Sequence, residues 1–495
     1  MRPEYTNRRQ PYTYRRPPEQ KILIWTTLIA SFILITLLIL GIYYVVDPFF
    51  RLPTEPPTPP TGAPQPPGPT VPPIIYQIYY ATRFGHGPIF FFFIFVILIF
   101  LNETSYIALA FLHRHFSRGR MRIISEWKHI PLVTIIIPAR NEEKVIEGTI
   151  LTILETDYPR KEIIVVNDGS TDRTEGVVRR YMKYGVRLIN QPNAGKAVAL
   201  NNGILYAKGE IIVVFDADTI VDTDAITKLA NHFKDPDVVS VSGNVKVGNR
   251  INLLTHMQAL EYVREINTRR RAFDLLNTIY VVPGAIGAFR KSSFSSMGMY
   301  DTDTVTEDMD VTIKLVKRGI VLYDGDAVSH TEAPEDLKGW SRQRSRWYGG
   351  TMQTIWKHRI AWWHYGTLSY VGFPFLMLSM FFTPVMELTA LLVGVVYALL
   401  GLWAGIFLIF GFLAVLEFTS TIISIFIDEE DYKLIFYVPA YVLVYRYMLD
   451  IVRMKVFWDV LTGRTKWSRT GRYGDLQKKV RSSDRYGQLG KLKVR

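Results

Sequence analysis

The strongest constraint on this chain is the placement of its apolar residues, which gather in blocks long enough to cross a bilayer. A helix needs about 20 apolar residues to span about 30 Å of hydrocarbon, and Ile22 to Val46 and Pro88 to Leu112 both meet that length. The first is too long for the core of a cleavable leader and no small-residue cleavage site follows it, so it reads as a retained anchor. Gly366 to Ile427 is apolar for roughly three spans' length, and Leu434 to Leu449 adds a shorter one, for an expected total of about six.

Basic residues set the expected orientation. "RRQPYTYRR" precedes the first span, "HRHFSRGRMR" follows the second and "RTKWSRTGRYGDLQKKVR" ends the chain, so all three should face the cytoplasm. Pro53 to Pro73 then forms a stiff extracellular polyproline-type spacer, and the acidic Asp428 to Asp431 is expected outside as well. The resulting layout is a basic cytoplasmic N-terminus (1–21), spans at 22–46 and 88–112 around an extracellular Pro-rich loop (47–87), a cytoplasmic domain (113–333), interfacial helices (334–365), about four further spans (366–452) and a basic cytoplasmic tail (453–495). It implies a multi-pass cell-membrane protein. The net charge of +13 lies beside these spans, where orientation and anionic headgroups account for it without a nucleic-acid partner. The absence of cysteine excludes disulfides and thiol catalysis.

Between the membrane blocks, β-rich runs alternate with helical stretches. "VTIIIPA" (Val133 to Ala139), "EIIVVND" (Glu162 to Asp168), "VRLINQ" (Val186 to Gln191) and "IIVVFDAD" (Ile211 to Asp218) are the near-continuous Ile and Val runs of a parallel sheet covered on both faces. The class is α/β. Ligands of such sheets bind beyond the carboxyl ends of the strands, where this chain carries "PARNEE", "NDGSTD", "NAGKAVALN" and "DADT".

Each group has a plain structural reading beside the chemical one. Asp168 and Gly169 can form a turn capped by Ser170 or Thr171. Asp216 and Asp218, one residue apart after a strand, suit Mg²⁺ or Mn²⁺ bridged to a diphosphate if the chain bends there, whereas a lone D-x-D is common in solvated turns. Lys196 offers a point charge for a nucleotide, or is a surface lysine. Gly284 and Gly287 in "VVPGAIGAFRKSS" permit close backbone approach to a ligand, or a packing turn. Glu307 and Asp308 open the helix "EDMDVTIKLVKRG", where acids complement the helix dipole and where a carboxylate can also take a proton from a hydroxyl. "SRQRSRW" (Ser341 to Trp347) precedes the apolar block and fits either catalysis or an amphipathic interfacial helix; the interfacial reading is kept for Arg344, Trp356, Trp362 and Trp363.

Taken together, "NDGSTD", "DAD", "TED" and "QRSRW" in this order resemble the processive family 2 membrane glycosyltransferases: the cellulose, chitin, hyaluronan and poly-N-acetylglucosamine synthases. The resemblance covers about Pro131 to Tyr348. Within it, "VSGNVKVGN", "QALEY" and "VVPGAIGAFR" look most like poly-β-1,6-N-acetylglucosamine synthases.

That resemblance implies a Rossmann-like GT-A domain inserted between transmembrane helices, with inversion by direct displacement. It implies that Asp168 binds the nucleoside end of UDP, that Asp216 holds nucleotide or sugar and shares the metal, and that Asp218 is the main metal ligand. Asp308 would be the general base, with Gln343, Arg346 and Trp347 on the substrates; the residues themselves add Lys196 and Glu307 to the expected substrate site. Arg346 matches a departing diphosphate, and the Trp347 ring seats the end of the growing chain.

The expected activity is polymerisation of a sugar from a UDP-sugar, UDP-N-acetylglucosamine favoured, into a β-linked polysaccharide extruded across the bilayer, with accessory export subunits as possible partners. Two rivals remain: a single transfer to a polyprenyl phosphate, and an inactive nucleotide-sugar sensor or secretion scaffold. Glu103, Glu387 and Glu417 fit a saccharide channel or simple interhelical hydrogen bonds. Lys466 to Arg472 ("KWSRTGR") resembles a gating segment, or is a basic tail.

Overall fold

The computed structural model describes residues 26, 103–117, 130–359, 364–399, 403–464 and 476. The first expected span apart from Thr26, most of the second, the Pro-rich link, Trp362, Trp363 and the segment Lys466 to Arg472 lie outside the described residues.

The block between the apolar segments folds around one eight-stranded sheet in the order β3-β2-β1-β4-β7-β6-β8-β5. The strands are β1 (Val133–Ala139), β2 (Lys161–Asp168), β3 (Val186–Gln191), β4 (Ile211–Val214), β5 (Ile220–Val221), β6 (Val238–Val247), β7 (Gly287–Arg290) and β8 (Ile320–Thr331). The helices used below are α1 (Ile146–Glu155), α2 (Lys196–Tyr206), α3 (Leu253–Glu261), α4 (Arg269–Leu276), α5 (Glu307–Val316), α6 (Leu337–Lys357), α7 (Thr383–Leu399), α8 (Trp403–Ile427) and α9 (Arg446–Leu461).

β1 to β4 form the parallel half expected from their Ile and Val runs. All seven residues of β1 are buried, and their alternation divides the core. Val133, Ile135 and Ile137 pack with Ile146, Ile150 and Ile153 of α1, while Ile136 turns to the other layer with Leu200 and Ile204 of α2. This is the period-2 geometry of a strand covered on both faces.

The sheet is mixed rather than wholly parallel. β7 runs antiparallel to both β4 and β6, and β8 is parallel to β6 but antiparallel to β5. β4 also ends at Val214, four residues short of the expected end. There the chain bends, with the amide of Thr219 donating to the carbonyl of Asp216.

Among the described residues two helical runs, Leu368–Val396 and Tyr432–Leu461, are long and apolar enough to cross a membrane, and Leu413–Ile427 is a shorter apolar helix. Three helical runs therefore occupy the stretch where four spans are expected, and the last extends past 452.

The acidic turn Asp428 to Asp431, expected on the side away from the α/β domain, packs against that domain instead. Asp428 is buried and accepts hydrogen bonds from Asn244 (2.9 Å), Asn267 (3.1 Å) and Arg271 (3.1 Å). Glu430 pairs with Arg250 at 2.7 Å. The local rule for charged loops has no access to cations that a separate domain brings up.

Glu103, Glu387 and Glu417 also find arginine partners rather than a channel lumen. Glu103 pairs with Arg264 (2.7 Å) and Arg269 (3.1 Å), Glu417 with Arg264 and with Arg446 (2.7 Å), and Glu387 with Arg446.

Candidate active site

The polar strand ends are laced together before any ligand is considered. Asn141, at the end of β1, adopts φ 56°, and its side-chain oxygen accepts from the amide of Thr171 at 2.8 Å. Glu142 and Glu143 donate backbone amides to Thr174 and Asp172 at 2.8 and 3.1 Å. The turn after β2 is held by Asp172, which accepts from the amide and hydroxyl of Thr174, and not by the Ser170 or Thr171 cap that the sequence suggests.

Asp168 sits where β2 ends and is 2% exposed. Its carboxylate accepts from Gln191 (2.8 Å) and from the amides of Ala194 (2.8 Å) and Gly195 (3.0 Å). Gly169 has φ +64°, and a Cβ there would stand 2.6 Å from the amide nitrogen of Asn193. Only glycine fits this crossing. The pair thus fastens the 193–195 loop to the sheet and sets the start of α2, which carries Lys196.

Lys196 Nζ bonds Asp216 Oδ1 at 2.7 Å and Glu307 Oε1 at 3.0 Å. Burial works against this ammonium, but Asp216, Glu307 and Asp308 outweigh it and hold its pKa above the lysine range. A Cβ on Gly284 would lie 2.6 Å from Nζ and 3.1 Å from Asp216 Oδ1, so the backbone at 284 approaches this cluster closely. Gly287 instead opens β7 against Val282, which is the packing alternative.

Asp308 stands in the first turn of α5, as expected. Burial and then the neighbouring charge of Glu307 raise its carboxyl to about 6, against the opposing pull of Lys196. A carboxylate tuned in this way accepts a proton near neutral pH.

The nine residues expected from sequence to bind substrate or metal or to act as base border one cavity of about 930 Å³: Asp168, Lys196, Asp216, Asp218, Glu307, Asp308, Gln343, Arg346 and Trp347. The cavity runs on to Leu376, Ser379, Met380 and Arg453 at the apolar helices. Asp218 is 3% exposed and Asp216 lies on the same turn, so hard carboxylate oxygens, the donors that Mg²⁺ and Mn²⁺ take, are gathered here.

α6 carries the Gln-Arg-Trp motif with its faces divided. Gln343, Arg346 and Trp347 face the cavity, whereas Arg344 is fully buried and does not lie at an interface. Arg344 Nε donates to Glu261 at 2.8 Å and its Nη2 to the same carboxylate at 2.6 Å, and its guanidinium lies 4.4 Å from the Trp347 ring centre. Tyr445 OH also donates to Glu261 and accepts from Trp340 Nε1. The motif helix is thereby tied to α3 and to the last apolar helix. Trp356, by contrast, is 70% exposed.

Several lining residues were not anticipated from sequence. Tyr262, Glu265, Ile266, Arg269, Arg270 and Phe273 present one stripe to the cavity. Their spacing of three and four was available as a signal, but the π-helical turn over Tyr262–Thr268 shifts the face that such spacing would assign.

Residues 134–298 match the model of glycosyl transferase family 2. The poly-beta-1,6-N-acetyl-D-glucosamine synthase of Staphylococcus aureus strain COL is 35% identical over 227 residues, 45% of this chain and 55% of that one. The synthase of the same name from Staphylococcus epidermidis is 32% identical over 235 residues, 47% and 57% of the two chains. The chain therefore spans about half the length of the curated relatives it matches. Among solved structures it resembles the mannosyltransferase PcManGT from Pyrobaculum calidifontis in complex with GDP-Man and Mn²⁺, with a TM-score of 0.50 and 20% identity, covering 74% of this chain and 99% of that one. At that identity the likeness concerns the fold, which is the Rossmann-like GT-A type. Residues 134–298 are thus a glycosyl transferase family 2 domain, and the homology of the chain to the two synthases agrees with it.

Proposed function

We propose that this protein is an inverting, processive glycosyltransferase of the membrane, extending a β-linked polysaccharide from a UDP-sugar, with UDP-N-acetylglucosamine favoured, and passing the product outward. The observation that carries the reading is the single cavity. It is bordered by Asp218, Asp308, Arg346 and Trp347 and continues to apolar helices that fit a membrane. The identity to two poly-N-acetylglucosamine synthases favours the sugar.

In this mechanism Asp308 accepts the proton of the acceptor hydroxyl as that oxygen attacks the anomeric carbon. Arg346 draws off the departing diphosphate, whose charge grows as the sugar bond breaks. The indole of Trp347 lies against the C–H face of the terminal sugar. Asp168 and the loop it fastens shape the nucleoside end, and Lys196 holds Asp216 and Glu307 in place. A divalent cation held by Asp218, with Asp216, would neutralise the diphosphate oxygens.

Membranes incubated with a panel of labelled UDP-sugars, followed by product sizing and linkage-specific hydrolases, test the reading. A ladder of long saccharides is the expected product. A single lipid-linked sugar selects the polyprenyl-phosphate rival, and no product from any nucleotide sugar selects the sensor or scaffold. Chelation should stop transfer, and added Mg²⁺ or Mn²⁺ should restore it.

The raised carboxyl of Asp308 also sets a pH profile. As a base it works only when ionised, so kcat/KM should fall as pH drops through about 6. Glu307→Gln removes one cause of that rise and frees Lys196 to act on Asp308. Its acid limb should therefore move to lower pH, and an unmoved limb would argue against Asp308 as the group observed.

A further inference from the structure

Three consecutive arginines begin α4, and their surroundings differ. Arg269 pairs with Glu265 at 2.7 Å and Glu103 at 3.1 Å. Arg271 pairs with Asp428 at 3.1 Å. Arg270, between them, makes no ion pair among the described residues. The residue is 8% exposed, yet its Nε and Nη1 are buried with no hydrogen-bond partner among the described residues.

The same residue borders the substrate cavity, together with Arg346. Burial disfavours the charged form of Arg270, and Tyr323, Tyr280, Asp308 and Tyr262 are among the groups that act on its charge. Tyr262 in turn feels the charge of Asp218 and tilts against Trp347 at 6.1 Å between ring centres. Arg270 therefore lies beside the cluster where the reaction proposed above takes place.

A buried guanidinium without a partner destabilises the protein that contains it. Every other arginine of this run is compensated by a protein carboxylate. Arg270 as a residue borders a cavity that, on the reading above, receives anionic substrates, so a countercharge arrives there with the ligand.

We propose that Arg270 is an oxyanion receptor in the cavity wall, distinct from Arg346, taking a diphosphate oxygen of the donor or a carboxylate on the acceptor sugar. The planar fork of a guanidinium suits both groups equally. The inference rests on the transferase reading for the identity of its ligands, but its test reads binding and stability and needs no turnover.

The full chain in detergent is titrated with inorganic diphosphate, glucuronate and uridine, and its melting temperature is followed with each. Arg270→Gln should raise the melting temperature of the ligand-free protein, because an uncompensated charge is removed. It should weaken one of the two anions by about 10- to 100-fold while uridine stays within about twofold. Loss confined to diphosphate assigns the donor, and loss confined to glucuronate assigns the acceptor.

A glutamine variant that binds both anions as the parent does overturns the proposal. So does one that melts lower and loses uridine in equal measure, which is the signature of a structural role. If the glutamine variant cannot be recovered folded, Arg270→Lys keeps the charge without the fork and should lose anion affinity selectively; unchanged affinity for all three probes overturns the idea. A protein that binds diphosphate through Arg270 but transfers no sugar refutes the function proposed above and leaves this inference standing.

Discussion

Asp308→Asn should lower transfer by about 10²- to 10⁴-fold, the usual contribution of a positioned general base, while UDP binding is largely retained. The expectation follows from the position of Asp308, which borders the cavity at the start of α5. Asparagine keeps the size and the hydrogen bond from the amide of Met309, 2.8 Å away in the present protein, so the pocket should persist. What it lacks is basicity. Single-turnover sugar transfer and UDP titration on the same preparation separate the two quantities. Lost UDP binding with residual turnover would contradict the assigned role.

Arg344→Met should cost about 3–5 kcal/mol of stability, the range for leaving one member of a buried ion pair uncompensated. Glu261 would keep Tyr445 as a donor but lose every guanidinium contact in a site with almost no exposure. The double variant with Glu261→Gln should recover much of the loss, because no buried charge then stands alone. Thermal unfolding of the four proteins in one detergent measures the coupling, and near-additive losses would sink this account. Activity should fall along with stability, since Arg344 backs the ring of Trp347 at 4.4 Å.

Much of the site was legible because its residues occupy strand ends and helix starts, positions that one-dimensional patterns mark. "EIIVVND" announces a buried strand followed by polar residues, and Asp168 stands where the strand stops. The role of Asp168 was less legible. Its bonds to Ala194 and Gly195 join residues 26 and 27 positions away, and no local pattern encodes that distance. The mixed half of the sheet was hidden for a related reason: β7 is four residues long and β5 two, too short for alternation to register.

The side on which Asp428 to Asp431 lies went wrong because loop-charge counting treats loops separately from folded domains. Arg271, Asn244 and Asn267 supply the compensation from the catalytic domain.

By itself the sequence determined the α/β class of the domain, the apolar runs beyond it and the residue types at each strand end, since these depend on local periodicity and backbone sterics. The tertiary structure alone decided which charges are neutralised. Arg344 and Arg346 are two positions apart on one helix, about 200° around its axis; one meets Glu261 in the core and the other faces the cavity. Likewise Arg269, Arg270 and Arg271 look alike in sequence and differ only in what the fold places opposite them. Electrostatic energy depends on distances through space and on exclusion of water, and neither is a property of a residue's neighbours along the chain.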